Sequence, residues 1–277
     1  MRVVNQPPVL SRRHAAGAES ARGLLFTVLG EFVLPGSSST WTSTIIDVLG
    51  RMGVEEKASR QALMRTAADG WLRSEKVGRR TRWWLTDAAS TLLTDGTKRI
   101  YAFPDSVSDW DGRWLLVLAR VPETDRAARH RIRTRLAWSG LGTPSPGVWI
   151  SAHADRLAEA REVLADAGVL DDAQMFLATY EGGAEVARLV GQAWDLDAIA
   201  SEYEGFIADF DEVDAPDALT AVTGLVHSWR RFPWIDPALP RVLLPEVWAG
   251  DRAAAVFARR HEEWAGHARA AWDALDG

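Results

Sequence analysis

Positively charged side chains concentrate in one short stretch of the sequence, between residues 73 and 82. Five cationic residues lie there against one acidic residue, Glu75, so the stretch carries +4 in a chain whose net charge is −6. The five are Arg73, Lys76, Arg79, Arg80 and Arg82. Guanidinium groups donate paired hydrogen bonds that fit the oxygens of phosphates. The stretch therefore predicts a site for an anionic partner.

A helix is predicted just before this stretch, from Glu55 to Asp69. No Pro or Gly interrupts it, its acidic first turn suits the positive end of the helix dipole, and Gly70 ends it. At a spacing of 3.6 residues, one side consists of Ala62, Leu63, Thr66 and Ala67. The outward side is polar and cationic, and it consists of Lys57, Arg60, Gln61, Met64 and Arg65.

Two short strands are predicted to follow this helix, at Trp71 to Val77 and Thr81 to Leu85, with a tight turn at 78–80. Arginines on a hairpin and on a neighbouring helix face fit phosphate contacts and base-edge contacts in duplex DNA. The alternative is a solvated amphipathic helix followed by an ordinary charged hairpin. The combination of helix, hairpin and arginine tip favours DNA.

Two more amphipathic helices are predicted upstream, at residues 20–34 and 41–52, with a loop of serines at 37–39 between them. Three helices followed by a hairpin make a winged helix-turn-helix. A further helix is predicted at 87–100, and residues 101–109 have the Pro, Ser and Asp content of a linker. Residues 1–19 contain no apolar run and are expected to form a flexible tail.

Residues 110–181 follow a different pattern, in which strands alternate with helices. Strands are predicted at 114–121, 148–152 and 173–180, and helices at 126–141 and 154–167. This order predicts a small α/β sandwich with helices on one face of a sheet, and one more strand hidden in the loops. The loop from Gly142 to Gly147 joins a helix to a strand, so we expect a connector there rather than a phosphate-binding turn.

From residue 185 onward the chain is predicted to be almost entirely helical. Residues 181–277 hold 8 arginines against 18 acidic residues, a net charge of −10, so DNA contact is not expected there. Two cations and three aromatic rings cluster at Trp229, Arg230, Arg231, Phe232 and Trp234. This chemistry can hold a nucleotide phosphate and an aryl group. The alternative is a helix end whose rings pack in a core.

Several classes of function are disfavoured by what the sequence lacks. The chain has no cysteine, which excludes disulfides and thiolate chemistry. No zinc-binding H-E-x-x-H, nucleophile elbow, P-loop or dinucleotide motif is present, so we expect no metal, no cofactor and no catalysis. No apolar run approaches ~20 residues, so we expect no membrane span and a cytoplasmic location. The alternative function is an enzyme, a nuclease or hydrolase acting through the central α/β domain.

Collinear motifs along the chain resemble the PaaX family of bacterial transcriptional repressors. The family's recognition helix and wing are resembled by RQALMRTAADGWL (60–72) and VGRR (77–80). Four further motifs follow in the same order as in the family: WDGRW (110–114), PGVWIS (146–151), VHSWRRFPWIDPALP (226–240) and LLP (243–245). The resemblance implies an α+β multidomain fold. Its parts are a tail at 1–19, a winged helix-turn-helix domain at 20–103, a ferredoxin-like α/β sandwich at 110–181 and an all-helical C-terminal domain at 185–277.

The resemblance also implies a homodimer that binds a palindromic double-stranded DNA operator and is released by an aryl-acetyl-CoA thioester, typically phenylacetyl-CoA. A two-fold dimer matches two half-sites. Arg60 and Arg65 match the family's recognition-helix arginines, and Arg79 and Arg80 match its wing. We expect base-edge contacts from Arg60 and Gln61, and phosphate contacts from Arg79, Arg80 and Arg82. The predicted DNA surface is completed by Lys57, Met64, Arg65 and Lys76, and the cluster at 229–234 is the predicted effector site.

The sequence departs from the family pattern at three positions of the recognition helix. Ser59 and Thr66 stand where larger apolar residues are expected, and Met64 where a small polar one is expected. We therefore expect looser packing of this helix and a base preference of its own. The central domain also resembles small CRISPR adaptation nucleases, which carry an aspartate after their first strand. Ala119-Arg120-Val121 occupies that place here, so nuclease activity is not carried over.

Overall fold

The computed structural model describes residues 20–36, 39–103, 110–120, 125–182 and 185–277. It shows a mixed α+β protein with two antiparallel sheets and a helical C-terminal part. The chain divides into two compact units. Unit 1 comprises Met1–Ala102, Phe206–Arg231 and Ala253–Gly277, and unit 2 comprises Phe103–Gly205 and Phe232–Arg252. The predicted tail at 1–19 and most of the predicted linker at 101–109 lie outside the described residues.

The first part of unit 1 combines helices with a three-stranded antiparallel sheet of order β1-β3-β2. Ser20 caps the first helix by accepting a hydrogen bond from Gly23 N, and Gly70 ends the third with a φ of 80°. In chain order the elements are α1 Ala21–Val28 with a π-helical extension Leu29–Val33, β1 Ser39–Trp41, α2 Thr42–Arg51, α3 Glu56–Ala68, β2 Leu72–Val77, β3 Arg80–Leu85 and α4 Asp87–Ala102.

The sequence predicts most of these elements closely, but it misses β1. Residues 39–41, predicted as the end of a loop and the start of a helix, pair with β3, so that Trp41 lies opposite Arg82. Asp276 holds this strand by accepting hydrogen bonds from Thr40 Oγ1 at 2.7 Å and from Trp41 N at 3.0 Å. A strand of three residues is too short to show a periodic pattern in the sequence.

Unit 2 contains a four-stranded antiparallel sheet of order β5-β6-β4-β7. Its first elements are β4 Arg113–Leu118, α5 Arg126–Trp138, β5 Gly142–Ser145, β6 Val148–Ser151, α6 Leu157–Asp166 and β7 Gln174–Thr179. Ile132 of α5 and Val163 of α6 are buried in one core with Leu115 and Val117 of β4. The helices therefore cover one face of the sheet, as the alternating pattern predicts.

The predicted connector at 142–147 is partly a strand, and this part of the prediction was wrong. β5 pairs with β6, and it is the additional strand that the sequence placed somewhere in the loops. A side chain at Gly142 would overlap the indole of Trp194, so only glycine fits at this point of the strand. Gly142 and Pro144 belong to the residue types that are depleted in strands, which hid β5 in the sequence.

The residues from 185 onward are mainly helical, as predicted. They form α7 Val186–Ala193, α8 Leu196–Phe210, α9 Ala218–Trp229, α10 Phe232–Ile235 and α11 Ala249–Asp276. A short 3-10 helix at Arg241–Leu243 lies between the last two. These residues are divided between the units, because α9 belongs to unit 1 whereas α7 and α10 belong to unit 2.

A partly buried polar network fixes the π-helical extension of α1 inside unit 1. Glu31 accepts a hydrogen bond from Tyr101 Oη at 2.6 Å, and its other carboxylate oxygen lies 3.0 Å from His261 Nε2. Burial alone would raise the pKa of the Glu31 carboxyl, but the hydrogen bonds with His261 and Tyr101 outweigh burial and hold the pKa below its ordinary value of 4.5. Arg269 of α11 donates to the carbonyl oxygens of Glu31 and Phe32 at 2.8 and 2.7 Å.

Candidate nucleic-acid interface

The outward face of α3 is exposed and cationic, as the sequence predicts. Its opposite side is buried through Ser59, Ala62, Leu63 and Thr66. The exposed side chains line one shallow surface depression together with Glu56, and they are Lys57, Arg60, Gln61, Met64 and Arg65. Met64 is 62% exposed, so its flexible apolar side chain is available to a partner.

Arg60 is held by an acidic neighbour one helical turn earlier. Its Nη2 and Nε lie 2.7 and 2.8 Å from Glu56 Oε1. Both side chains are more than half exposed, and exposed pairs at this spacing contribute only about 0.3–0.5 kcal/mol. The ion pair therefore orients Arg60 while allowing it to exchange Glu56 for another acceptor.

Ser59 and Thr66, which depart from the family pattern, are both fully buried beneath α3. The Ser59 hydroxyl donates to Glu55 O at 3.2 Å. Among the residues that the structure describes, none forms a hydrogen bond with the buried Thr66 hydroxyl. An unpaired buried hydroxyl costs about 1–3 kcal/mol, so Thr66 destabilises the base of this helix.

Replacing Thr66 by Val is expected to raise the free energy of unfolding by about 1 kcal/mol, because Val keeps the shape of Thr and removes the unpaired hydroxyl. Urea unfolding followed by circular dichroism measures the change. Ser59→Ala is the matched control, since the Ser59 hydroxyl has a partner and its removal brings no such gain. A Thr66→Val protein that is no more stable than wild type would show that the hydroxyl finds a partner in solution.

The predicted hairpin is formed by β2 and β3, and it turns at Gly78 and Arg79. Gly78 has a φ of 62°, a conformation that favours glycine. Arg79 lies at the exposed tip. Strand alternation places Arg80 and Arg82 on one face of the sheet, whereas Lys76 lies on the face that carries Trp83. The predicted phosphate contacts Arg79, Arg80 and Arg82 thus lie at the tip and on one face of the hairpin, and Lys76 of the predicted DNA surface lies on the other face.

The face with Arg80 and Arg82 also carries tryptophans, and the two kinds of side chain alternate. The guanidinium carbon of Arg80 lies 3.9 Å from the ring centroid of Trp41. That of Arg82 lies 5.2 Å from Trp41 and 5.1 Å from Trp84, and that of Arg73 lies 5.1 Å from Trp84. We call these five residues the arginine–tryptophan ladder. Trp41 and Trp84 were not predicted as site residues from the sequence, and Arg73 was counted in the cationic stretch without being assigned a contact. The only signal in the sequence was the alternation of arginine and tryptophan along β3.

Two rings of the predicted effector site are committed to internal packing. Trp229 is 1% exposed, stacks on Phe257 at 4.7 Å and donates to Ile100 O at 3.2 Å. Phe232 is fully buried and stacks on Tyr203 at 4.2 Å. For these two residues the structure agrees with the alternative in which the rings pack in a core.

The other members of the predicted effector site are less enclosed or bind the backbone. Arg230 donates to Gly23 O at 3.1 Å and to Thr27 Oγ1 at 3.3 Å, and burial lowers the pKa of its guanidinium to about 10. Arg231 and Trp234 are half-buried, and burial lowers the pKa of Arg231. Arg230, Arg231 and Trp234 are therefore partly exposed, in contrast to Trp229 and Phe232.

Comparisons with known proteins assign the family. Three family models match successive parts of the chain: "PaaX-like protein" at 20–89, "PaaX protein central Cas2-like domain" at 107–190 and "PaaX-like protein C-terminal domain" at 194–274. The transcriptional repressor PaaX of Escherichia coli K12 is 30% identical over 257 residues, which cover 87% of this chain and 80% of that repressor. The chain belongs to the PaaX family of transcriptional repressors.

A solved structure shares the fold of this PaaX family member. The uncharacterized protein Rv0674 from Mycobacterium tuberculosis matches with a TM-score of 0.60 and 23% identity, over 92% of this chain and 98% of that chain. At this level of identity the likeness concerns the fold alone.

Within its described residues, this PaaX family member shows no group of three or more His, Asp or Glu side chains placed to hold a metal ion. None of the helices in those ranges is long and apolar enough to cross a membrane. After β4, Ala119 is buried and Arg120 is exposed. Val121, the third residue at the place of the nuclease aspartate, lies outside the described residues.

Proposed function

We propose that this protein represses transcription by binding duplex DNA through α3 and the β2–β3 hairpin. The observation that carries the proposal is the exposed cationic face of α3, whose other side is buried in unit 1. An α-helix fits the major groove and reads base edges there with its outward side chains. The three helices and the hairpin support a winged helix-turn-helix, and membership of a repressor family supports the regulatory role.

The side chains of this surface divide by the contacts that they can make. Arg60 and Gln61 have the paired hydrogen-bonding groups that fit guanine and adenine edges, and Met64 offers an apolar contact. Phosphate contacts are assigned to the remaining cations, which are Lys57, Arg65, Lys76, Arg79, Arg80 and Arg82.

The proposal extends to the domains and the assembly. The element order β-α-β-β-α-β supports a ferredoxin-like sandwich in unit 2. The three family models, at 20–89, 107–190 and 194–274, support a division into three domains, for which the bounds 20–103, 110–181 and 185–277 are proposed from the sequence. A homodimer places two copies of α3 on the two halves of a palindromic operator, which doubles the number of contacts. A repressor of this kind acts in the cytoplasm, where the DNA lies.

An aryl-acetyl-CoA thioester, with phenylacetyl-CoA as the first candidate, is the proposed effector that releases the protein from DNA. The proposal rests on the family resemblance. Among the predicted effector residues, Arg231 offers a cation for the phosphates and Trp234 an aromatic surface for the aryl group. Both keep accessible surface.

A fluorescence-anisotropy titration against DNA from upstream of the protein's own gene tests this function. It is run at two salt concentrations, with and without phenylacetyl-CoA, and beside random-sequence duplex. We expect tight binding that weakens with salt, because each neutralised phosphate releases counterions, and loss of binding with the thioester. Tight binding that does not change when phenylacetyl-CoA is added would contradict the proposed effector but not the proposed repressor function. Binding no tighter than to random DNA would contradict the repressor.

The double variant Arg79→Ala/Arg80→Ala is expected to weaken binding to upstream and random DNA by the same factor, because phosphate contacts carry no sequence information. The slope of log affinity against log salt should become shallower by about 1.8, which is about 0.9 for each lost contact. Lys98→Ala/Arg99→Ala removes the same charge from the exposed side of α4 and serves as the control. An equal effect of the control would show that the hairpin has no special role.

A further inference from the structure

Strand pairing fixes the arginine–tryptophan ladder. Trp41 lies opposite Arg82, and Arg73 lies opposite Trp84, in the register of the β1-β3-β2 sheet. Directly opposed side chains in such a sheet are close enough to interact. The other face of the sheet carries Trp83, which is 5% exposed. A one-residue shift in the register of β3 would move its side chains to the opposite faces and would expose Trp83, so the register that places the ladder is fixed.

Hydrogen bonds hold two members of the ladder in place. Asp276 accepts from Trp41 N at 3.0 Å, which fixes the backbone that carries this ring. Arg82 Nε donates to Ser39 Oγ at 3.0 Å, so Arg82 is held by one hydrogen bond and two rings. A free arginine loses rotamer entropy when it binds a ligand, and this loss is smaller for Arg82 because its side chain is already held.

The N–H groups at the edges of the guanidinium groups are the part of the ladder that can bind a ligand. Stacking on a ring engages the flat face of a guanidinium and leaves its N–H groups able to donate at the edge. Within the described ranges, Arg73, Arg80 and Arg82 form no ion pair, although Glu75 lies opposite Arg82 on the same face. Each ring already contacts two guanidinium groups, which favours a phosphate ligand over a stacked nucleobase.

We infer that Trp41 and Trp84 are positioning residues that hold Arg73, Arg80 and Arg82 for contact with the phosphates of duplex DNA. The inference rests on the proposed function and adds Arg73 to the DNA-binding surface. It makes a face of the sheet, and not only the hairpin tip, a backbone-binding surface. Because phosphates are the same in every sequence, the ladder contributes affinity rather than sequence preference.

Trp41→Leu and Trp84→Leu test the inference, because they remove a ring and leave the net charge unchanged. Binding to random-sequence duplex is measured by fluorescence anisotropy at about 50 and about 200 mM salt. We expect each variant to bind about fivefold more weakly, with a shallower dependence on salt. Trp41→Phe and Trp84→Phe should recover most of the loss, since Phe keeps an aromatic face. Trp138→Leu, a half-buried tryptophan of α5, is the control and should bind as wild type does.

Leu variants that bind as tightly as wild type would overturn the inference, and so would Phe variants that lose as much as the Leu variants. If a Leu variant does not fold, as judged by circular dichroism, the inference is tested instead with Arg73→Gln, which changes an exposed residue of β2. We expect it to make the salt slope shallower by about 0.9, and an unchanged slope would overturn the inference. A wild-type protein that binds no DNA would overturn the proposed function itself, before any variant is compared.

Discussion

Arg60→Ala is expected to weaken binding to the operator by about 5- to 150-fold while binding to random duplex stays close to that of wild type. The factor corresponds to the ~1–3 kcal/mol by which a bidentate contact discriminates against a wrong base. Arg60 is exposed on α3, and its ion pair within the described residues is with Glu56 at 2.7 Å, so its truncation leaves the core intact. Anisotropy titrations on upstream and random DNA give the ratio of affinities directly.

Glu56→Gln is the matched control for this variant. It breaks the same ion pair but keeps the guanidinium of Arg60, so the preference for the operator should persist. Affinity for all DNA should rise, because one negative charge leaves the surface that faces the phosphates. Equal losses on operator and random DNA for Arg60→Ala would show that Arg60 contacts phosphate rather than a base.

Glu31→Leu is expected to lower the free energy of unfolding by about 2 kcal/mol at neutral pH, because it removes the shared acceptor of a partly buried hydrogen-bonded network and leaves Tyr101 and His261 only their mutual contact at 2.9 Å. Tyr101 Oη and His261 Nε2 lie 2.6 and 3.0 Å from the Glu31 carboxylate oxygens. Chemical unfolding followed by circular dichroism measures the loss. Glu31→Gln keeps the shape and one acceptor oxygen, so it should lose less. Equal stability of Glu31→Leu and wild type would contradict a structural role for the network.

The same network predicts how stability depends on pH. The pKa of Glu31 lies below its ordinary value of 4.5, so the folded protein binds this proton more weakly than the unfolded chain does. The contribution of the Glu31 carboxylate to the free energy of unfolding is therefore complete above pH 4.5. It is lost as the pH falls through the pKa that Glu31 has in the folded protein. The stability difference between wild type and Glu31→Leu should shrink over that acid range. A difference that stays constant there would show that the network does not depend on the carboxylate charge.

The cationic face of α3 was predictable because it depends on short-range order. Helical periodicity places Ala62 and Leu63 inward and Arg60 and Arg65 outward whatever the rest of the chain does. A glycine at position 70 ended the helix for the same local reason. The collinear motifs of the sequence likewise indicated the family that the comparisons then assigned.

The strands β1 and β5 were not predictable, because neither carries a strand pattern of its own. β5 contains Gly142 and Pro144, and it is a strand because it pairs with β6. β1 has three residues, and its Thr40 is bound by Asp276, which lies 236 positions later in the chain. Because β1 was not predicted, no pattern in the sequence placed Trp41 beside the hairpin.

The sequence by itself determined the charge distribution, the local elements and the family, because composition, periodicity and collinear motifs are read from neighbouring residues. Only the tertiary structure decided which side chains share a surface. In the folded protein, Arg80 and Arg82 lie over the ring of Trp41. Trp229 and Phe232 are buried against other rings and are not exposed to a ligand. Such contacts join residues far apart in the chain, and they depend on how the whole molecule packs, which no local pattern specifies.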